Sequence, residues 1–270
     1  MKMKTGVFKE KYRYIKVGKG SKNAVFFPGS EDLIISEPKM AWFFGPRFMK
    51  LFPKDYSLLI LSYDPKISEG TTPFDIADDF AEIIREELGS AVIMGLSFGG
   101  MVALCFASRY PELTDALIVV SSSHHAHERT LDFGVKLMQM MHDKKISDAM
   151  IEFLNLFKRK IYRLGLKLGL ALVWLIFKKM MNPPEMLLNA YLGAQKLQVK
   201  GKKVVSLISS PTLILGGSDD QIFPLESFNK TAELIKDAKL EIFEGETHTM
   251  MIERPNPCKK KIKQFLESLA

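Results

Sequence analysis

The chain has 270 residues, of which 47% are hydrophobic and 26% are charged, and its formal net charge is +7. This is the ordinary composition of a soluble globular protein, and the length suffices for one large domain. The two cysteines exclude a disulfide framework, and the basic N-terminus lacks the apolar stretch of a secretory signal. We therefore expect a cytoplasmic protein. No nucleic-acid-binding module is recognisable, so we expect no binding to nucleic acid.

Strands and helices are predicted to alternate along most of the chain. Apolar runs predict strands within 7–17 and at 22–27, 57–63, 90–96, 115–121, 211–216 and 239–243. Helical periodicity predicts helices near 74–88, 98–110, 225–237 and 257–269. This order predicts an α/β fold with a mostly parallel central sheet and helices on both of its faces. The first strands, which no helix separates, should be antiparallel.

A serine flanked by glycines stands between a predicted strand and a predicted helix. Residues 95–100 read Gly-Leu-Ser-Phe-Gly-Gly, with the serine at position 97. Glycine neighbours let strand and helix approach closely and permit the strained backbone of a sharp turn, which exposes the serine hydroxyl. The free amides at the start of the helix favour developing negative charge. The pattern indicates Ser97 as a nucleophile, and the alternative is a plain glycine-rich turn.

The alternation of strands and helices stops after the sixth predicted strand. We expect residues 124–203 to form a helical cap, inserted into a core domain of residues 1–123 and 204–270. Residues 136–203 hold 14 Lys and Arg against four Asp and Glu, so a net charge of +10 lies within the insert. At its start, three histidines within 124–127 lack the spacing of a zinc site, which favours a pocket or surface loop over a metal site.

Within this insert, Leu168–Phe177 is a run of ten uncharged apolar residues. A bilayer-spanning helix needs about 20 such residues, so the run is too short to cross a membrane. It could be a buried helix, or it could roof an apolar acyl pocket, with Leu172 and Trp174 lining the substrate site. A third alternative is that the basic, apolar cap rests on an anionic membrane surface or contacts lipid.

Residues that follow the last two predicted strands could supply an acid and a base. Asp219 and Asp220 follow the strand at 211–216, and His248 follows the strand at 239–243. Histidine exchanges protons near neutral pH, and an aspartate bonded to its far ring nitrogen fixes its tautomer. The alternatives are a solvated loop histidine and two turn-forming aspartates.

The order Ser97, aspartate, His248 resembles that of the α/β-hydrolase family, over nearly the whole chain. In that family the acid commonly has a glycine three residues before it and a proline four residues after it. Gly217 and Pro224 give Asp220 both neighbours, whereas Asp219 has only the glycine. The resemblance therefore implies Asp220 as the acid of a Ser-His-Asp triad.

The resemblance also implies an oxyanion hole. Its backbone donors would be the amides of Ser30, after the strand at 22–27, and Phe98, after the nucleophile. Proline occupies position 28, where relatives carry histidine, so Gly29 is an alternative first donor and a candidate substrate-binding residue.

Together these residues predict a serine hydrolase that acts on a small-molecule carboxylic ester of moderately apolar acyl chain. No cofactor and no metal are expected. The motif around Ser97 is also similar to those of enol-lactonases, carbon–carbon bond hydrolases and aminopeptidases. A ligand-binding receptor that retains the fold and the triad is the non-enzymatic alternative. The sequence does not predict an oligomeric state.

Overall fold

The computed structural model describes residues 3–35, 45–125, 127–197 and 201–269. The strands are β1 (Met3–Phe8), β2 (Tyr12–Gly18), β3 (Lys22–Phe27), β4 (Tyr56–Leu61), β5 (Ala91–Leu96), β6 (Thr114–Val120), β7 (Thr212–Gly217) and β8 (Lys239–Phe243). The helices are α1 (Ser30–Ile34), α2 (45–49), α3 (Pro73–Glu87), α4 (Phe98–Arg109), α5 (Glu128–His142), α6 (Ile146–Leu154), α7 (Lys160–Met180), α8 (Pro184–Gln195), α9 (Gly201–Val205), α10 (Leu225–Leu234), α11 (Met250–Glu253) and α12 (Pro255–Glu267).

The described strands form one eight-stranded sheet in the order β1-β2-β4-β3-β5-β6-β7-β8. β2 is antiparallel to both β1 and β4, and every other neighbouring pair is parallel. The prediction of a mostly parallel sheet that begins with antiparallel strands is therefore confirmed. Since the carboxyl ends of parallel strands lie at one edge of a sheet, residues that follow β3, β5, β7 and β8 come together there.

The strands in the middle of the sheet are buried on both faces. Every residue of β4, β5 and β7 is buried, as expected for parallel strands with helices on each side. Alternate residues of β3 belong to two different apolar clusters: Val25 and Phe27 pack with α3 and α4, whereas Ala24 and Phe26 pack with α12. The sheet is thus a rigid central layer, and the residues at its carboxyl edge are held by two cores.

The predicted strand region 7–17 is a hairpin of β1 and β2. Its turn is made by Lys9 and Glu10, whose φ angles are +49° and +60°. The Lys11 amide closes the turn by donating to the Phe8 carbonyl at 3.1 Å. Such positive φ angles usually require glycine or asparagine, so this turn carries no sequence signal.

In the described residues between β6 and β7, where the cap was predicted, the chain forms five helices, α5 to α9. Buried residues of α5 and α8, among them Leu137, Leu187 and Tyr191, belong to the same apolar cluster as α3 and α4. The division of the chain into a core and a cap stays a prediction. None of the helices in the described ranges combines the length and the hydropathy needed for a bilayer crossing.

Candidate active site

Ser97 occupies a strained turn between β5 and α4. Its φ and ψ angles are +51° and −119°, a combination that side-chain-bearing residues rarely adopt. Its amide donates to the Val120 carbonyl of the neighbouring strand at 2.9 Å, and its carbonyl accepts from the Gly100 amide at 2.9 Å. The backbone on either side of the serine is therefore fixed, and the hydroxyl stands at the carboxyl edge of the sheet.

Two glycines around Ser97 are required by close backbone contacts. A Cβ atom on Gly95 would lie 2.2 Å from the Gly99 carbonyl oxygen. A Cβ atom on Gly99 would lie 2.1 Å from the Phe27 carbonyl oxygen and 2.3 Å from that of Pro28. No side chain fits at these distances, so the glycines allow α4 to start directly against the ends of β3 and β5.

His248 and Asp220 form a continuous hydrogen-bonded chain with Ser97. The His248 Nε2 atom lies 3.0 Å from Ser97 Oγ, and its Nδ1 atom lies 2.9 Å from Asp220 Oδ2. All three residues are buried. With Nδ1 protonated and donating to the carboxylate, Nε2 is free to accept a proton from the serine hydroxyl.

Asp220 is positioned by the turn after β7. Its Oδ1 atom accepts from the amides of Ile222 and Phe223, at 2.8 and 2.9 Å. Asp219, by contrast, is exposed, and its carboxylate accepts from the hydroxyl of Ser218 at 3.1 Å. Of the two aspartates, the structure brings only Asp220 to the histidine.

The loop that carries His248 is held by contacts that sequence reasoning missed. The Ser121 hydroxyl, at the end of β6, donates to the His248 carbonyl at 3.0 Å. The Glu253 carboxylate accepts from the amides of Lys158 and Arg159, at 2.9 and 2.8 Å, and from the Thr249 hydroxyl at 2.7 Å. The histidine loop is thus tied both to the sheet and to the chain segment that leads into α7.

The predicted oxyanion donors lie at the first positions of two helices. Phe98 begins α4 and Ser30 begins α1, and amides at such positions have no acceptor within their own helix. Ser30 is buried, and its hydroxyl lies 2.8 Å from the Tyr191 hydroxyl. The Gly29 amide donates instead to Glu31 Oε1 at 3.0 Å, so Ser30 is the better candidate for the first donor.

Glu31 is a carboxylate at the site that the sequence analysis did not single out. It lines the cavity beside Ser97 together with Ser30 and His248. Desolvation raises the pKa of Glu31, while its own backbone amide, the Gly29 amide and the nearby His248 act to lower it. An acidic residue in the first turn of a helix is a common capping pattern, so no sequence signal separates Glu31 from an ordinary helix start.

The cavity next to Ser97 has mostly apolar walls. Its free space, open solvent included, is about 500 Å³. The apolar residues that line it come from β5, from the insert and from the loops around the triad: Leu96, Phe133, Phe153, Leu156, Ile222, Met251 and Ile252. Besides Ser97 and His248, its polar lining residues are Ser30, Glu31, Tyr191 and Thr249. Such a site suits an apolar group attached to a small polar reactive centre.

Of the two insert residues predicted to bind substrate, Leu172 has a described side chain, and that side chain is not among those that line this cavity. Leu172 is 87% exposed on α7, so the structure does not bring it to Ser97. Trp174 lies in the same helix, and its side chain is outside the described part of the structure. The insert contributes Phe133, Phe153 and Leu156 instead, from α5, from α6 and from the segment that precedes α7.

The histidine-rich segment after β6 lies apart from the cavity walls. His124 is buried, and its Nδ1 atom lies 2.9 Å from the Thr231 hydroxyl of α10. Burial lowers the pKa of His124 to about 4. Within the described residues, no group of three or more His, Cys, Asp or Glu side chains is placed to hold a metal ion.

Residues 35–255 match the family described as alpha/beta hydrolase fold, and the chain belongs to that family. A proline iminopeptidase of Pestalotiopsis fici is 27% identical over 243 residues, covering 82% of this chain and 85% of the relative. A 2-hydroxy-6-oxononadienedioate/2-hydroxy-6-oxononatrienedioate hydrolase of Comamonas testosteroni is 30% identical over 159 residues, covering 57% of this chain and 54% of the relative. The names of these two relatives describe different activities.

Among solved structures, MGS-M2 is described as an alpha/beta hydrolase enzyme from a Medee basin deep-sea metagenome library. It superposes on this chain with a TM-score of 0.79 at 19% identity, covering 98% of this chain and 97% of that one. At this identity the likeness concerns the fold alone.

Proposed function

We propose that this protein is a serine hydrolase that cleaves carboxylic esters of moderately apolar acyl groups through a Ser-His-Asp triad. The observation that carries the proposal is the buried hydrogen-bonded chain from Asp220 through His248 to Ser97, beside an apolar cavity. A nucleophile, a base within hydrogen-bond reach and an acid that orients the base are what acyl transfer requires.

The reaction begins when Ser97 Oγ attacks the ester carbonyl and His248 Nε2 takes the serine proton. Asp220 holds the ring so that Nε2 faces the serine, and its charge stabilises the imidazolium that forms. His248 then gives the proton to the leaving alcohol, and an acyl-enzyme remains on Ser97. A water molecule, deprotonated in turn by His248, releases the acid and restores the serine.

The amides of Phe98 and Ser30 stabilise the negative oxygen of the tetrahedral intermediate. Each such donor lowers the activation free energy by roughly 2.7–4 kcal/mol in well-studied hydrolases. Glu31 also lines this cavity, and desolvation opposes the charged form of its carboxyl group by raising its pKa. The described residues that line the cavity include no Lys or Arg to pair with an anionic substrate, so neutral esters are the preferred class.

The test is hydrolysis of p-nitrophenyl esters from acetate to palmitate by the wild type and by Ser97→Ala. The exposed Ser206 provides a matched control, Ser206→Ala. We expect turnover with an optimum of acyl length in the wild type and in the control, and none above background in Ser97→Ala. Full activity in Ser97→Ala would refute the mechanism.

A second candidate reaction is carbon–carbon bond hydrolysis, because the 2-hydroxy-6-oxononadienedioate/2-hydroxy-6-oxononatrienedioate hydrolase, at 30%, is more similar in sequence over its matched region than the proline iminopeptidase, at 27%. The same triad can serve that reaction, so the substrate decides between the two. If a fluorophosphonate labels Ser97 but no ester is cleaved, then assays of carbon–carbon substrates, lactones and amino-acyl amides follow. Labelling without turnover of any of them indicates a ligand-binding role. A cytoplasmic location stays a prediction of the sequence.

A further inference from the structure

The helix α7 is 21 residues long and carries an exposed row of large apolar side chains. Ile161, Leu164, Leu168, Leu172 and Leu175 are each between 59% and 87% exposed. A Cβ atom on Gly165 or Gly169, in the same stretch, would meet nothing within 4 Å. We call the five apolar residues the α7 stripe. Scattered single leucines on a surface are ordinary, but a contiguous row of this kind marks an interaction site.

The α7 stripe lies on one side of the helix. Its members are three or four residues apart, and at 100° per residue they fall within an arc of about 80°. At 1.5 Å per residue, the stripe from Ile161 to Leu175 is about 21 Å long. The stripe is therefore narrow and continuous. All of its side chains could insert side by side into one apolar surface.

Positive charges flank the stripe. Lys160, Arg163 and Lys167 each precede a member of the stripe by one residue, so they lie together along its border. The sequence of α7 contains no acidic residue. Two copies of this helix would bring like charges together, which opposes pairing through the stripe, whereas an anionic surface would attract them.

We propose that the α7 stripe docks this protein on an anionic lipid surface, with α7 lying in the plane of the headgroups. The leucine side chains insert among the acyl chains, and the basic border pairs with lipid phosphates. Helices that bind membranes in this way typically have an apolar face bordered by Lys and Arg, with few other charges. This inference is independent of the esterase proposal.

The ends of α7 hold it in place for such a contact. At the first end, the Glu253 carboxylate accepts from the Arg159 amide at 2.8 Å, and the Tyr162 hydroxyl donates to the Glu253 carbonyl at 3.3 Å. After the other end, the Asn182 side chain donates to the Leu33 carbonyl at 3.1 Å. Because both ends are bonded to the body of the protein, the stripe is presented on a fixed support.

The first end of α7 also lies close to the cavity. Leu156, four residues before the helix, lines the cavity, and its carbonyl accepts from the hydroxyl of Thr247 at 3.1 Å. The helix that carries the stripe is therefore joined, within four residues, to a segment that lines the cavity.

The first experiment is co-sedimentation with vesicles, either of phosphatidylcholine alone or of equal parts phosphatidylcholine and phosphatidylglycerol. We expect the wild type to bind the anionic vesicles and to be released by high salt. The triple variant Leu164→Ser, Leu168→Ser, Leu175→Ser should lose binding by roughly a hundredfold or more. Leu207→Ser, at a leucine that is 61% exposed outside α7, is the matched control and should bind like the wild type.

A second variant tests the charges separately. Lys160→Gln, Arg163→Gln, Lys167→Gln should weaken binding to the anionic vesicles by roughly fivefold per charge and leave the weak binding to neutral vesicles unchanged. All variants are checked by circular dichroism, and the changed positions are exposed or half-buried on α7, so each should keep its fold.

Three results would overturn the docking proposal. The first is no binding of the wild type to anionic vesicles, and the second is equal binding by the wild type and the serine triple variant. The third is a wild-type dimer in solution that the serine triple variant dissociates, which assigns the stripe to a second copy of the chain. Hydrolysis of soluble p-nitrophenyl acetate is measured in parallel. Because that readout depends on Ser97 and not on lipid, failure of the esterase proposal leaves the vesicle result interpretable.

Discussion

The identity of the acid can be tested by replacing Asp220 with asparagine. Both oxygens of Asp220 lie within reach of His248 Nδ1, Oδ2 at 2.9 Å and Oδ1 at 3.1 Å, and Oδ1 also accepts from the amides of Ile222 and Phe223. An asparagine has one oxygen and one NH₂ group to offer. If the oxygen stays with the two amides, the NH₂ group faces His248, and the ring proton moves to Nε2. The ring then cannot accept the proton of Ser97.

The other orientation of the asparagine is also costly. With its oxygen toward the histidine, its NH₂ group faces two backbone N–H groups, and each buried donor left without an acceptor costs about 1–3 kcal/mol. In either orientation the base is lost or the loop is strained. We expect Asp220→Asn to lower kcat/KM by roughly 10³- to 10⁴-fold, or about 4–5.5 kcal/mol of activation free energy.

The assay is kcat/KM for p-nitrophenyl butyrate, measured beside Asp219→Asn as the matched control. Asp219 is exposed, and its carboxylate accepts only from Ser218 among the hydrogen bonds described for that side chain, so we expect a change of less than about twofold. Thermal unfolding of both variants checks that each is folded. Similar losses in the two variants, or a larger loss in Asp219→Asn, would refute the assignment of Asp220.

Three other predictions concern the turn at Ser97, the Glu31 carboxylate and the cavity. A Cβ atom on Gly99 would lie 2.1 Å from a backbone oxygen, so Gly99→Ala should lower the free energy of unfolding by at least about 2 kcal/mol. Gly165→Ala, in open space, should raise it by up to about 1 kcal/mol, and urea unfolding that gave equal effects would contradict this reasoning. Because desolvation raises the pKa of Glu31 above its ordinary 4.5, the wild type should lose stability as pH rises through that raised pKa. Glu31→Gln lacks this loss, so the free energy of unfolding of the variant, relative to that of the wild type, should increase as pH rises above about 4.5, and a difference that stays constant with pH would contradict this reasoning. Phe153→Ala enlarges the cavity and should move the ester optimum to longer acyl chains, whereas Leu207→Ser should leave it unchanged; an unmoved optimum in the first variant would exclude Phe153 from the acyl site.

Sequence reasoning identified residues whose type and spacing are fixed by close backbone contacts. The glycines around Ser97 are required because the backbones of β3, β5 and α4 nearly touch. Gly217, which helped to select Asp220, is required in the same way: a Cβ atom there would lie 2.2 Å from the Glu246 carbonyl oxygen, in the loop of His248. Constraints of this kind leave a fixed residue type at a fixed spacing, which a single sequence displays.

Other features depend on neighbours that are distant in the sequence. The apolar run Leu168–Phe177 has the composition of a buried helix, and only the tertiary structure shows that Leu168, Leu172 and Leu175 face outward. Glu31 has the same local pattern as any acidic residue at a helix start, so its position beside Ser97 follows from the topology of the sheet. Burial and proximity of this kind are properties of the folded chain, and local periodicity does not contain them.

At Ser97, the backbone conformation that activity requires lowers the stability of the fold. Its φ of +51° is one that glycine adopts readily. Holding a non-glycine residue in that conformation lowers the free energy of unfolding by on the order of 1–3 kcal/mol. A chain selected for stability alone would carry glycine at this position and would have no nucleophile. The rest of the fold, with its two cores and its buried sheet, must therefore supply a surplus that keeps the reactive serine in a conformation it does not prefer.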